Sequence, residues 1–414
     1  MLKCDVLIVG NGVAGSVTAL KALKHGLKII IIEKEKKIGT NIDTKLDLTE
    51  SIGIENIIKE LDLPIHDKSN VSKWFSPNHV LDFNSSIYDL YVKRGIDEDS
   101  FENKNISKIL DGGGQLLTET NIKLFKWGKN NRVDKVIVKK DKKNIEIEPS
   151  FIIGADGVNS AVLKLSRLSS YENIIGKFIG IGVYGKNFNL PTGITHVFFD
   201  RNIAPGGYIF AAKSKENNCV LAVGIDSSMT NINPQQYYKK IKSHKLLSDI
   251  LKDAEIKNPL SGFGRIGLLK RHSIGNIMLV GDAGRFPDPL FCYGVRQAIL
   301  SGYNAAKTIN LCLQSAIEKK PSEKFESSMV ELQNEIKLGY FLRKAFRKMR
   351  NKDIDTIVKI LSDAQKDGLD IDYLFKKNNN LLIKNIIRNF GRCSSITLRA
   401  LPNIIEYLVN IRHI

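Results

Sequence analysis

The stretch that most narrows what this chain can fold into lies at its N-terminus. Residues 5–15, DVLIVGNGVAG, join an apolar run to Gly10, Gly12 and Gly15 in G-x-G-x-x-G spacing, with Ala14 ahead of the last glycine. Each glycine has a separate role. Gly10 permits a tight turn, Gly12 lets the backbone approach a pyrophosphate, and Gly15 lets the next helix pack against the strand. The phosphates then meet the N-terminus of that helix, SVTALKALKH (16–25), which Gly26 ends. A second apolar run, LKIIIIE, places Glu33 where an acid accepts ribose hydroxyls, with Lys34 directly after it. Strand, glycines, helix, strand and acid in this order predict a Rossmann-like α/β unit. An acid here favours an adenosine ribose without a 2′-phosphate, as in FAD or NAD, over NADP.

Two later segments repeat the strand, glycine, aspartate, helix pattern. FIIGADGVNSAV (151–162) carries Asp156, and NIMLVGDAGRFPDPLFCYGVRQAILSGYNAA (276–306) carries Gly281, Asp282, Gly294 and Val295. Alone, each could be an ordinary turn with Asp as a helix cap. Together with the N-terminal motif they make the chain resemble the FAD-dependent family of p-hydroxybenzoate hydroxylase type, and within it the geranylgeranyl reductases, over about residues 1–310.

The resemblance implies FAD as cofactor, its pyrophosphate at the first glycine motif and Gly281 and Asp282 near the ribityl and pyrophosphate region. It directs the helix that begins near Gly294 and Val295 at the flavin ring, where a positive helix end stabilises the anionic reduced form. It also sets Arg94, in YVKRGIDEDSF, beside the cofactor. In APGGYIFAAK (204–213), Pro205, Tyr208 and Phe210 match a strand that lines the substrate cavity in such reductases. Phenylalanine stands in that strand's tryptophan position and Ala212 replaces its last aromatic. In FPDPLFCYG (286–294), Pro289, Leu290, Gly294 and Val295 are kept, whereas Phe291 and Cys292 depart from the family, Cys292 standing where glycine is usual. Phe291 joins the expected substrate contacts, and Cys292, Tyr293 and Tyr208 are the candidate proton donors. Many relatives carry a cysteine in a C-G-E-G-like segment after the second strand. Here NIDTKLDLTESIG (41–53) has Glu50 at the place of the acid and lacks the cysteine.

The activity so implied is a reductase that saturates isoprenoid (geranylgeranyl) double bonds of membrane lipids or their precursors, with either a ferredoxin-like protein or NAD(P)H as electron donor. An aromatic hydroxylase on the same fold, or a flavin-bound membrane-associated protein without catalysis, are the alternatives. No G-x-S-x-G elbow, H-E-x-x-H or Walker loop competes.

A chain of 414 residues accommodates two or three domains. The expected division gives 1–70, 85–170 and 271–330 to a discontinuous FAD-binding domain, 71–84 and 171–270 to an antiparallel substrate sheet, and 331–414 to a basic helical region. The alternating apolar strands of 175–270 support the sheet. The net charge of +18 favours anionic partners. Aromatic and basic residues do not cluster as a nucleic-acid platform, so no nucleic acid is expected. Cys4, Cys219, Cys292, Cys312 and Cys393 form no C-x-x-C pair, which points to a reducing compartment and no structural metal. No apolar run reaches the length of a membrane span, so a cytoplasmic location, at most peripheral to a membrane, is expected. In FLRKAFRKMRNK (341–352), Leu342, Ala345, Phe346 and Met349 share one stripe opposite Arg343, Lys344, Arg347, Lys348 and Arg350. Such a helix either lies on an anionic membrane or packs on the core with a solvated outer face.

Overall fold

The computed structural model describes residues 1–40, 42, 45–314 and 320–366. Runs that are apolar without alternation form strands buried on both faces, the habit of a parallel sheet. Leu2–Val9 and Ile29–Ile32 pair in parallel, Val6 to Val9 opposite Ile29 to Ile32. On the other side of Leu2–Val9 lies Lys143–Gly154, and beyond it Ile277–Leu279, both parallel to their neighbours. Gln115–Leu117 and the short Ser273–Ile274 lie at the two ends of this row. Thr120–Trp127 and Val133–Lys140 add an antiparallel extension to Lys143–Gly154.

This order has a consequence for the site. The three strands that precede the three glycine motifs are adjacent, so their turns leave the same edge of the sheet. That edge, at the strands' C-terminal ends, is where open α/β sheets bind ligands. Backbone bonds tie the turns together: Ala155 N–H donates to Val9 O at 2.9 Å and Val280 N–H to Gly154 O at 2.9 Å. The helices Val13–Lys24 and Val295–Gln314 pack on each other closely, with Thr18 Oγ1 donating to Gly302 O at 3.2 Å.

The second sheet has eight strands, in the spatial order Glu255–Leu269, Glu172–Lys186, Cys219–Asp226, Tyr208–Lys213, Ile194–Phe198, Asp67–Phe75, Val80–Arg94 and Lys45–Glu50. Every pair is antiparallel except Ile194–Phe198 with Asp67–Phe75. The fold is the expected α/β class, an FAD-binding α/β unit joined to a largely antiparallel sheet and followed by helices. The expected boundaries need correction at one place. Residues 45–50, 67–70 and 85–94 run in the second sheet, although the sequence assigned them to the cofactor unit. The polar run Asn84, Ser85, Ser86 interrupts the apolar alternation of Val80–Arg94, so one 15-residue strand reads as two separate pieces.

Helices Pro321–Ser328, Val330–Lys348 and Asn351–Lys366 cover the junction of the two units. The helix drawn from FLRKAFRKMRNK packs on the core, and part of its basic face is engaged there. Arg343 is fully buried against Asp226, with Nη2 and Oδ2 3.0 Å apart, and Arg347 Nε reaches the same carboxylate at 3.1 Å. Of the two expected arrangements the core-packed one is observed: Arg343 and Arg347 turn inward to a carboxylate that the sequence places 117 residues from Arg343, Lys348 is exposed, and the helix ends at Lys348, before Arg350. The rest of the expected helical region, 367–414 with Cys393, lies outside the described residues. Among the described residues no helix is long and apolar enough to cross a membrane.

Candidate active site

The first glycine turn is built by close contact. Gly10 has φ +97°, and a Cβ there would stand 2.5 Å from Ala155 O, while one on Gly15 would stand 2.1 Å from Gly10 O. Neither position admits a side chain, and the second motif forms one wall of the first. Gly12 differs, since a Cβ there meets nothing within 4 Å. It begins helix Val13–Lys24 with no side-chain cap, leaving the helix N-terminus open for an anion. Glu33 receives the backbone N–H groups of Asn11 at 3.2 Å and Glu35 at 3.1 Å, which fixes its carboxylate beside the glycine turn.

The other expected cofactor residues fall into distinct roles. Ala14 is buried where the helices cross, and a Cβ on Gly281 would lie 3.0 Å from its own. Asp156 spends its carboxylate locally: it accepts from Ser160 Oγ at 2.5 Å, Ala161 N–H at 2.6 Å and Val162 N–H at 3.1 Å, capping helix Ala161–Leu165. It positions the turn. Asp282 lies under the start of helix Val295–Gln314, its Oδ1 3.5 Å from where a Gly294 Cβ would stand. Burial pushes the Asp282 carboxyl up, against the pull of Arg94, Arg285 and Lys45. Arg94 pairs with Glu102 and with Asp47, the latter at 3.1 Å, so it is held near Asp282 by two carboxylates. Lys34 is exposed, with its ammonium 3.9 Å from Glu35.

This cradle fits FAD on its own chemistry. It offers an uncapped helix N-terminus at a glycine with open space before it, the Glu33 carboxylate fixed beside that turn, and Asn11, whose buried Nδ2 has no partner. Gln297, on the first turn of helix Val295–Gln314, likewise has a buried Oε1 without a partner. Buried polar atoms of this kind are paired in nearly all structures, so two of them along one cradle call for a polar ligand. FAD, when bound, supplies the two-electron redox chemistry.

Across from the helix start, the second sheet turns one face to the FPDPLFCYG loop. Ser72 and Trp74, Ile87 and Asp89, and Thr195, Val197 and Phe199 alternate along their strands onto that face. With Glu50, Phe291 and Tyr293 they line a cavity. Its wall is mixed, four aromatic and two aliphatic side chains beside Glu50, Ser72, Asp89 and Thr195; the aromatic part is clustered, with the Phe291 ring centroid 6.3 Å from Trp74, 6.3 Å from Phe199 and 5.9 Å from Tyr208 behind it. Phe210 follows Tyr208 on the same face of its strand and packs at the edge of this cluster, and Pro205 sits in the turn before it, its carbonyl accepting from Asp226 N–H at 2.9 Å.

The loop folds on itself and is clamped from behind. Asp288 N–H donates to Tyr293 O at 2.8 Å, Cys292 N–H to Asp288 O at 2.7 Å, and the Asp288 carboxylate accepts from the amides of Leu290 and Phe291. Tyr208 Oη donates to Phe291 O at 2.6 Å and Arg343 Nη1 to Leu290 O at 3.0 Å. Helix Val330–Lys348 reaches the loop through Gly339, where a Cβ would fall 2.3 Å from Asp288 Oδ1.

These contacts change the standing of the three candidate donors. The Tyr208 proton is committed to a backbone carbonyl, and burial raises its pKa well above that of a free phenol. Burial also pushes the Cys292 thiol up to about 12 and raises Tyr293, the latter helped by the carboxylates of Asp89 and Glu50. Phe291 and Tyr293 line the cavity, while Cys292 occupies the turn between them with φ +60°. The left-handed conformation explains why glycine suits this position. Cys292→Gly is expected to leave stability within about 1 kcal/mol of the parent, while Cys292→Val costs roughly 1–2 kcal/mol from its clash at positive φ; urea unfolding of the two variants measures the difference. Sequence reasoning missed Trp74, Asp89, Thr195, Phe199 and Arg343. The period-two alternation of Ile87, Asp89 and Tyr91, which sets one carboxyl among apolar neighbours, was the available signal for Asp89.

Comparison with known proteins agrees with this geometry. Residues 3–320 match the FAD binding domain family, and the chain belongs to it. It is an FAD-dependent oxidoreductase. Among curated relatives, digeranylgeranylglycerophospholipid reductase 1 of Methanococcoides burtonii is 24% identical over 395 residues, covering 91% of this chain and 93% of that one. A digeranylgeranylglycerophospholipid reductase of Thermoplasma acidophilum is 25% identical over 382 residues, covering 90% and 95%. Among solved structures, a geranylgeranyl bacteriochlorophyll reductase-like protein of Thermoplasma acidophilum superposes with a TM-score of 0.78 at 19% identity, over 97% of this chain and all of that one. A flavin-dependent brominase shares the fold at a TM-score of 0.67 and 19% identity, over 92% and 100%.

Proposed function

We propose that this protein is an FAD-dependent reductase that saturates carbon–carbon double bonds of isoprenoid chains, those of geranylgeranyl membrane lipids or their precursors. The observation that carries the reading is the cavity wall: six of its ten lining residues are aromatic or aliphatic, the others are Glu50, Ser72, Asp89 and Thr195, and no lysine or arginine is among the described residues that line it. A hydroxylase for aromatic acids needs a cation to receive the substrate carboxylate; an uncharged polyprenyl chain needs only apolar walls. The names of the curated relatives support the same substrate class.

In this reading the residues of the chain bind, orient and exclude water. The glycine turn, Asn11, Glu33 and Asp282 hold FAD, and the N-terminus of helix Val295–Gln314 stabilises negative charge at the ring edge. The clamped loop presents Phe291 and Tyr293 to the substrate, and Trp74, Val197 and Phe199 hold the chain against them. Preorganisation of this kind lowers the barrier without a mobile catalytic group.

The test is anaerobic photoreduction of the flavin followed by mixing with a geranylgeranyl glycerophospholipid. Reoxidation of the flavin with a mass gain of two hydrogens per bond is expected. Flavin that stays reduced with every polyprenyl lipid overturns the reading, and oxygen uptake stimulated by an aromatic acid would replace it with hydroxylation. Reduced ferredoxin and NADPH, tried in turn, identify the donor.

A further inference from the structure

Saturating an isolated double bond takes a hydride at one carbon and a proton at the other. The groups at this site that carry a proton are few. Tyr208 has spent its proton on Phe291 O, and Cys292 and Tyr293 are held as weak acids by burial. The polar groups that remain on the cavity wall are Glu50, Ser72, Asp89 and Thr195.

Asp89 stands apart among them by its setting. It lies within strand Val80–Arg94, opposite Glu50 on one neighbouring strand and Ser69 on the other. Its carboxylate accepts from Ser72 Oγ at 3.1 Å and is also bonded to the Thr195 hydroxyl. It lines the cavity beside Trp74, Phe291 and Tyr293. The titratable groups that face it there are Glu50 from Lys45–Glu50 and Tyr293 from the loop; Ser72 and Thr195 approach from the remaining strands, and Tyr91 lies beyond, its hydroxyl 3.4 Å from Thr195 Oγ1. No cation among the described residues lines the cavity to offset the cost of burying a carboxylate. Burial accordingly raises the Asp89 carboxyl above its ordinary range, with Thr195 and Ser72 pulling the other way.

We infer that Asp89 is the proton donor of this site, delivering its carboxyl proton to the double-bond carbon that does not receive the hydride. The inference rests on the reading of the site as a double-bond reductase. The π bond breaks, one C–H bond forms with the hydride and its electron pair drawn from the reduced flavin, and the second forms with the proton from the Asp89 O–H. The olefin is reduced and the flavin oxidised; Asp89 is left as a carboxylate, which water reprotonates as the product leaves. Perturbed carboxyls in apolar sites act as general acids elsewhere, and that contribution is commonly ~10²–10⁴-fold.

Two measurements test it. In the flavin-loaded protein, photoreduced and mixed with a geranylgeranyl glycerophospholipid, Asp89→Asn is expected to slow flavin reoxidation by at least ~100-fold, with photoreduction itself unchanged and Asp89→Glu restoring part of the rate. In the flavin-free protein, infrared spectroscopy is expected to show a protonated-carboxyl C=O band that persists above the pH at which exposed carboxyls ionise and that Asp89→Asn removes. Ser72→Ala, which deletes a bond to the ionised form, should move the midpoint of that band to higher pH. An Asn variant that turns over within threefold of the parent overturns the assignment, as does the absence of such a band. A parent protein inert toward every polyprenyl lipid while the band is present would instead sink the functional reading and the donor role with it, leaving Asp89 a buried acid.

Discussion

Arg343→Met is expected to destabilise the protein by about 3–5 kcal/mol, the cost of stranding one partner of a buried ion pair. Both Arg343 and Asp226 have no exposed side-chain surface, and Asp226 has no water to fall back on. Arg347 remains at 3.1 Å, but it is partly exposed and shared with Ile175 O and Ser228, so it compensates only in part. The same substitution removes the donor to Leu290 O, and the FPDPLFCYG loop loses its rear support. Denaturant unfolding followed by tryptophan fluorescence measures the effect, Trp74 lying against Phe291 of that loop. Lys348→Gln, an exposed change on the same helix, is the control and should stay within about 0.5 kcal/mol. Equal effects of the two variants would show that the pair carries no weight.

Gly12→Asp is expected to separate folding from cofactor binding. The new side chain enters open space, and at the N-cap of an uncapped helix its carboxylate can accept the free amides, adding about a few tenths of a kcal/mol of stability. The same carboxylate occupies the approach of the pyrophosphate. Juxtaposed like charges cost several kcal/mol, and a loss of about 2.7 kcal/mol already corresponds to ~100-fold in affinity. The variant should therefore purify folded, at least as stable as the parent, and without flavin colour. Retained flavin at normal occupancy would show that the pyrophosphate lies elsewhere.

The parts of this site that the sequence disclosed are those written in one contiguous stretch. Strand, glycine turn and helix follow one another directly in the chain, so Gly10, Gly12, Gly15 and Gly281 announce their geometry locally. The cavity is different. Its wall takes alternate residues from strands that meet only in the folded sheet, and Ser72, Asp89 and Thr195 have no spacing that would join them. The basic helix shows a third case: its stripe pattern was legible, but the carboxylate that draws Arg343 inward is remote in the chain, and amphipathic spacing alone reads as a solvated face. At Cys292 the departure from glycine was visible and its meaning was not, because only the backbone reveals a φ of +60°.

The adjacency of the three motif strands also bears on how the holoprotein comes into being. Their segments leave the ribosome far apart in time: the turn at Gly10 emerges early, the one at Ala155 much later, and Val280 and the helix behind it after most of the chain. Pairing of such distant segments is slow and requires long loops to close. A nascent chain that ends short of helix Val295–Gln314 lacks one side of the cradle, and flavin cannot be fully enclosed until that helix docks on Val13–Lys24. With FAD placed as proposed, flavin capture is expected to be a late event, and truncation products that end before helix Val295–Gln314 should purify colourless even when their first strands are in place.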